Sequence, residues 1–186
     1  MLAYVFWHWP VPAIDRGTYE TKLLRFHAAL KSQPLDSFVE SATYRLAATP
    51  WLSSPGYEDW YQVESFAALG ALNDAAVSGP RREPHDEAAR AAAGGTAGIY
   101  RLRGGAIDSA HVRCASWFSK PAGMTYDELF SALGGWIDSS ANALWQRQMV
   151  LGPTPEFCLR SSRKPDLPAR FKPLSVAVEI CQGSKS

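Results

Sequence analysis

Imidazole is the usual general base near neutral pH, and the chain has four: His8, His27, His85 and His111. His8 lies in a β-branched and aromatic run, in phase with Tyr4 and Phe6, while Trp7 and Trp9 leave its face open. His27 follows Phe26 at the edge of a helical apolar stripe. Both suit a cavity mouth and are the candidate catalytic bases. His85, beside Asp86, suits a lid, and His111 a strand end.

A second set of residues would hold what such a base acts on. In Gly56–Ser65, GYEDWYQVES, a strand places Tyr57, Asp59, Tyr61 and Val63 on one face and Glu58, Trp60, Gln62 and Glu64 on the other. The apolar pair Tyr61 and Val63 assigns the first face to a core, so Glu58, Trp60 and Gln62 face a cavity. The same alternation sends Tyr44, Leu46, Tyr100 and Leu102 to the core and Arg45 and Arg101 to the cavity, with Trp145, Arg147 and Glu179 equivalent further on. Chemically, Trp60 and Trp145 would wall a ring while the arginines bind a carboxylate, phenolate or enolate. His8 or His27 would abstract the proton, with Arg45 and Arg101 stabilising the anion. A structural reading stands beside this one: Arg45 with Glu58, and Arg147 with Glu156 or Glu179, as ion pairs that need no ligand.

The composition narrows the partners. In 186 residues, 46% hydrophobic and 20% charged, the balance is that of an ordinary globular protein. A net charge of +1 supplies no electrostatic reason for nucleic acid or an anionic membrane. The 7 Trp, 7 Tyr and 8 Phe exceed what a minimal core requires, which favours a small-molecule ligand or a partner subunit. Cys114, Cys158 and Cys181 lack any metal-ligand spacing and read as reduced, buried thiols of a cytoplasmic protein. The N-terminus has no basic region and meets His8 and Pro10 too early for a signal peptide. Nucleotide, zinc-protease and serine-hydrolase motifs are absent.

The elements that must position these residues follow from periodicity. Tyr4–Trp9 reads as a strand, Thr18 as the cap of a helix striped by Tyr19, Leu23, Phe26 and Leu30, and Pro34 as its stop. Strands follow at 41–48 and 56–65, separated by a loop holding Ser53. Ser65 caps a helix broken at Gly79-Pro80, residues 84–93 form a short helix that Gly94-Gly95 ends, and 99–103 is a strand. Residues 111–120 open a second run of strands, with Thr125-x-x-Glu128 as a capping box. Further strands fall at 143–151, 156–160 and 174–181, a basic, Pro-rich loop at 161–170 replaces the second helix, and the tail from Gln182 is polar.

The order βαββαβ is the ferredoxin-like plan, and Thr125-Tyr126-Asp127 echoes Thr18-Tyr19-Glu20 in matching order. Residues 1–105 and 106–186 therefore read as two repeats packed as one α+β unit with antiparallel sheets. Such a tandem resembles the dimeric α+β barrel superfamily, in which two units curve their sheets into a shared barrel. The resemblance implies a small-molecule binder or a cofactor-independent enzyme, monooxygenase- or cyclase-like, acting on an apolar or aromatic, possibly anionic, compound. It implies no cofactor for such an enzyme. The haem enzymes of the same fold imply an alternative, with His27 or His85 as the iron ligand, and a non-enzymatic scaffold is a third. Paired units imply a homodimer, although a duplicated chain can close its barrel alone.

Overall fold

The computed structural model describes residues 1–32, 35–52, 54–149 and 152–181. The expected stop at Pro34, Ser53 of the loop, the last two residues of the 143–151 strand and the tail from Gln182 lie outside the described residues.

Among the described residues there are eight strands: β1 (Leu2–Pro10), β2 (Phe38–Leu46), β3 (Gly56–Val63), β4 (Ala92–Gly105), β5 (Cys114–Phe118), β6 (Asn142–Gln148), β7 (Phe157–Ser161) and β8 (Leu174–Ile180). They close into one antiparallel barrel in the order β1-β3-β2-β8-β5-β7-β6-β4. Each half of the chain thus contributes the ferredoxin-like order, β4-β1-β3-β2 and β8-β5-β7-β6. The halves join where Tyr44–Leu46 pair with Val178–Ile180 and where β4 pairs with β6. The α-helices of the described residues cover the outer surface: α1 (Arg16–Lys31), α2 (Phe66–Ala76), α3 (Arg82–Ala91) and α4 (Tyr126–Ile137). In the second half a loop with a single turn at Ala169–Phe171 stands where α2 and α3 stand in the first.

Local chemistry sets the helix starts. Thr125 and Glu128 form the reciprocal capping box, and Ser65 accepts from the Ala68 amide. The cap of α1 is Asp15, not Thr18: its carboxylate accepts from the Thr18 amide at 2.9 Å and the Thr18 hydroxyl at 2.6 Å. The Asp15 carboxyl is accordingly held below its usual range by the Thr18 hydrogen bonds. Gly94 and Gly95 do not end a helix but lie inside β4, which begins at Ala92. A side chain at Gly95 would sit 2.4 Å from the Phe6 ring and 2.8 Å from the Trp7 carbonyl, so only glycine lets β4 approach β1 there.

Among the described residues, side chains pack the barrel interior. Trp7, Tyr44, Trp60, Tyr100, Trp117 and Trp145 fill it with alternating small residues such as Ala3, Ala42 and Ala115. Their rings meet mainly edge to face, for instance Trp60 on Trp145 at 5.3 Å and Trp7 on Trp117 at 5.5 Å between centroids. This overturns part of the facing expected from alternation. On β3 the expectation holds, but on β2 and β4 it is inverted: Tyr44, Leu46, Tyr100 and Leu102 point inward, Arg45 and Ile99 outward. Both faces of these strands are apolar, so period-2 alternation separates the faces without saying which is the barrel.

One ion pair is sealed inside. Glu58, 1% exposed, accepts from the Trp7 indole at 2.8 Å, the Trp60 indole at 2.6 Å and Arg160 at 3.3 Å. The Arg160 guanidinium lies 4.1 Å from the Trp60 ring centre and 4.3 Å from that of Tyr44. Removing one partner strands a buried charge. Arg160→Met is therefore expected to cost about 3–5 kcal/mol in urea unfolding, with much of this recovered in the double variant Glu58→Leu/Arg160→Met. Arg45→Ala, which breaks a pair nearer the surface with Glu20 and Glu179, is expected to cost no more than about 1 kcal/mol.

Candidate functional site

An enclosed opening lies outside the barrel, between the outer face of the first-half sheet and its helices. It is a cavity of about 690 Å³ walled by Tyr4, Phe6 and His8 of β1, Asp59 and Tyr61 of β3 and Ile99 of β4. Tyr19, Leu23, Phe26 and Leu30 of α1 form one side, and α2 and α3 cover it with Leu69, Leu72, Asn73, His85, Ala88 and Ala89. The size is that of a small-molecule site. Small residues make the room: Ala92, Ala93, Gly94 and Gly95 leave the start of β4 almost bare.

At the floor of this apolar cavity stands a carboxylate. Asp59 is 2% exposed and lies between two imidazoles, with His8 Nε2 at 3.2 Å and His27 Nε2 at 3.5 Å from its Oδ2. The Tyr61 hydroxyl donates to the same oxygen at 2.9 Å, while Oδ1 has no hydrogen-bond partner among the described residues. Each imidazole is steadied on its other side: His8 Nδ1 meets the Tyr19 hydroxyl at 2.6 Å, and His27 Nδ1 meets the Ser41 hydroxyl at 2.8 Å. The rings stack on tyrosines of β3, His8 on Tyr57 and His27 on Tyr61. A line of close polar contacts thus runs along β3 as Tyr19, His8, Asp59, His27, Ser41, hydrogen-bonded at its two ends and closed in the middle by the imidazole–carboxylate approaches.

Electrostatics follow from burial and this neighbourhood. Burial opposes the charge of Asp59, but the facing imidazoles outweigh it and hold the carboxyl well below the usual carboxylate range. Burial, then the Asp59 charge, pushes Tyr4, Tyr19 and Tyr61 above the ordinary phenol value. The phenols therefore stay protonated and the carboxylate stays ionised.

The expected site residues separate into two groups. The structure brings His8 to the cavity wall and His27 directly beneath Asp59, outside the cavity lining. The seven expected binding residues lie elsewhere. Arg45 is on the outer face bound to Glu20 at 2.5 Å and Glu179 at 2.6 Å, so neither of its partners is Glu58. Arg101 is exposed on β4. Glu58, Trp60 and Trp145 belong to the filled barrel, Gln62 donates to Glu40 at 2.6 Å, and Arg147 donates to the Thr154 carbonyl. A pocket was expected inside the barrel, but the tryptophans occupy that space. Asp59, Tyr19 and Tyr61 were missed as site residues. The signal for Asp59 was a charge on the strand face assigned to a helix-packed core.

Because the folded Asp59 carboxyl is lowered, its stabilising contribution is complete above the unfolded value near 4 and fades as the pH falls through that range. Asp59→Asn is expected to lower the unfolding free energy at pH 7, and its deficit against the parent should shrink below pH 4, followed by urea titrations across that range.

No protein-family model and no curated protein matches the chain. Solved structures do match in shape. A protein described as a monooxygenase from Lactobacillus acidophilus NCFM superposes with a TM-score of 0.61 at 6% identity, covering 97% of this chain and 94% of that one. A protein described as a chlorite dismutase gives 0.54 at 10% identity, over 97% and 95% of the two chains. One described as anthrone oxidase-like gives 0.50 at 10%, over 97% and 91%. With its closed eight-stranded antiparallel sheet and the same strand order in both halves, the chain shares the dimeric α+β barrel fold with these structures.

Proposed function

We propose that the cavity binds an apolar, ring-bearing small molecule and that the Tyr19-His8-Asp59 line removes a proton from it, in a cofactor-independent reaction of monooxygenase type. The observation that carries this reading is the ionised, buried Asp59 at the floor of an otherwise apolar cavity, joined to an imidazole and through it to a wall phenol. Asp59 fixes the His8 ring and stabilises it when protonated, as the carboxylate of a catalytic triad does. With His8 Nε2 turned to Asp59, Nδ1 is the proton acceptor, and the Tyr19 hydroxyl at 2.6 Å is the group that hands it a proton. Since the Tyr19 phenol is held neutral, it passes one proton on as it receives another and never carries the charge itself.

Anthrone is a suitable probe of this chemistry. Loss of its ring CH proton leaves an enolate, which dioxygen oxidises. One oxygen atom becomes the new ring carbonyl and the other leaves as water, so anthrone and O2 give anthraquinone and water. The residues of this chain supply the proton acceptor and the dry, aromatic walls.

A haem reading rests on His85, a cavity-lining helical histidine whose Nδ1 is held 3.1 Å from Asp86. The lining fits haem poorly. Haem propionates would find neither Lys nor Arg among the described lining residues, and the one carboxylate there would repel them.

Oxygen uptake with anthrone is expected to fall by about 10²–10⁴-fold in His8→Gln and Tyr19→Phe, with anthrone binding retained. Unchanged uptake in both would refute the proton-relay role. A sharp Soret band on adding haemin, lost in His85→Ala, would shift the reading to haem.

A further inference from the structure

We infer that Tyr4 anchors the ligand by donating its hydroxyl hydrogen to an acceptor oxygen, so that the cavity favours ring-bearing ketones. This rests on the reading of the cavity as the ligand site and adds to it a recognition residue and the chemical group that residue recognises. Tyr4 walls the cavity from β1, in phase with Phe6 and His8. Its neighbours set its ring. The Phe6 ring lies 6.5 Å away with the planes 11° apart, and the Tyr61 ring lies 6.1 Å away between centroids. Packing of this kind fixes the position of the hydroxyl oxygen before a ligand arrives.

The other polar side chains of the lining are engaged. His8 meets Tyr19 and Asp59, Tyr61 donates to Asp59, and the ionised Asp59 can only accept. On the covering helices, the exposed Asn73 donates to Asp74 at 3.3 Å, and the partly exposed His85 is paired with Asp86. The Tyr4 hydroxyl has no hydrogen-bond partner among the described residues. What acts on it is burial, then the charge of Asp59, and both raise the phenol above its ordinary value and keep it protonated. A neutral phenol is a ready donor. A ligand that covers it without offering an acceptor leaves that donor unsatisfied, whereas a carbonyl oxygen pairs it. Phe6 stands between Tyr4 and His8 on β1, so the oxygen held by Tyr4 is remote from the carbon that faces His8. The part of Tyr4 is to orient the ligand, apart from the proton transfer.

The test uses 9-fluorenone, a flat ketone that the proposed reaction cannot consume, and fluorene, a hydrocarbon of nearly the same shape without the carbonyl. Dissociation constants of both are measured by equilibrium dialysis with the purified full chain and with Tyr4→Phe. The carbonyl stretch of bound fluorenone is read by infrared difference spectroscopy. Tyr4→Phe is expected to weaken fluorenone binding by about 3- to 10-fold, the worth of one net hydrogen bond, while fluorene keeps its affinity. In the parent the bound carbonyl should absorb at lower wavenumber than in Tyr4→Phe, as a hydrogen-bonded carbonyl does. The substitution keeps the ring and removes a hydroxyl that bonds nothing in the fold, so urea unfolding should not change.

Equal losses for both probes, or unchanged fluorenone affinity with an unshifted carbonyl, would overturn the Tyr4 assignment while leaving the cavity reading in place. So would a loss of fluorenone binding that appears in His85→Ala and not in Tyr4→Phe, since the anchor would then lie on α3. If neither probe binds the parent chain, the cavity reading fails and the inference with it.

Discussion

Two neighbouring carboxylates on one strand, each required to be buried, constrain the rest of this protein. Glu58 and Asp59 sit side by side on β3 and are 1% and 2% exposed. Strand geometry sends them to opposite faces, so each face of the sheet must supply its own counter-groups. Inside the barrel Glu58 takes two indole N–H groups and Arg160, which reaches it from β7 of the other half of the chain. Outside, Asp59 takes two imidazoles and a phenol. The first solution ties the two halves together across the barrel. The second draws α1 down onto β3, because His27 and Tyr19 belong to that helix.

The two faces differ in what they leave over. Every acceptor oxygen of Glu58 is engaged, and aromatic rings fill the space around it, so that cluster has nothing to offer a ligand. Asp59 keeps one oxygen unpaired among the described residues, and it does so beside a cavity. A polar group held ready in an apolar enclosure is how a protein prepares a site in advance of its ligand. The packing of the second half shows that this opening is not forced by the fold. There Phe118, Phe157, Leu159, Leu167 and Phe171 close the equivalent outer face, with Leu167 and Phe171 supplied by the loop that replaces two helices. In the first half the start of β4 carries only Ala and Gly toward the helices, and the volume those side chains give up is the cavity.

Much of the architecture was legible in the amino acids. The strand and helix order, the capping box at Thr125, the cap at Ser65 and the missing second helix of residues 161–170 follow from periodicity and turn chemistry, which act over a few residues. The errors have local physical causes. Asp15 outcompetes Thr18 as a cap because its carboxylate reaches both the amide and the hydroxyl of Thr18. Gly94 and Gly95 resemble a helix stop because the reason for them, the Phe6 ring and the Trp7 carbonyl, lies on another strand.

The site was legible only in part. His8 and His27 stood out by residue type, and Asp59 was visible as a charge among apolar neighbours on a core-facing strand position. The binding residues were misplaced because alternation divides a strand into two faces and is silent on which one encloses the barrel. Arg45 and Arg101 changed sides on that account. The amino-acid sequence by itself determined the α+β order, the antiparallel pairing and the residue types that could move a proton. Tertiary structure alone decided that the tryptophans fill the barrel, that the cavity opens on the opposite face, and that Tyr19, His8, Asp59 and His27 meet. Those outcomes depend on contacts between segments far apart in the chain, where the burial of one charge is settled by side chains that no local pattern connects to it.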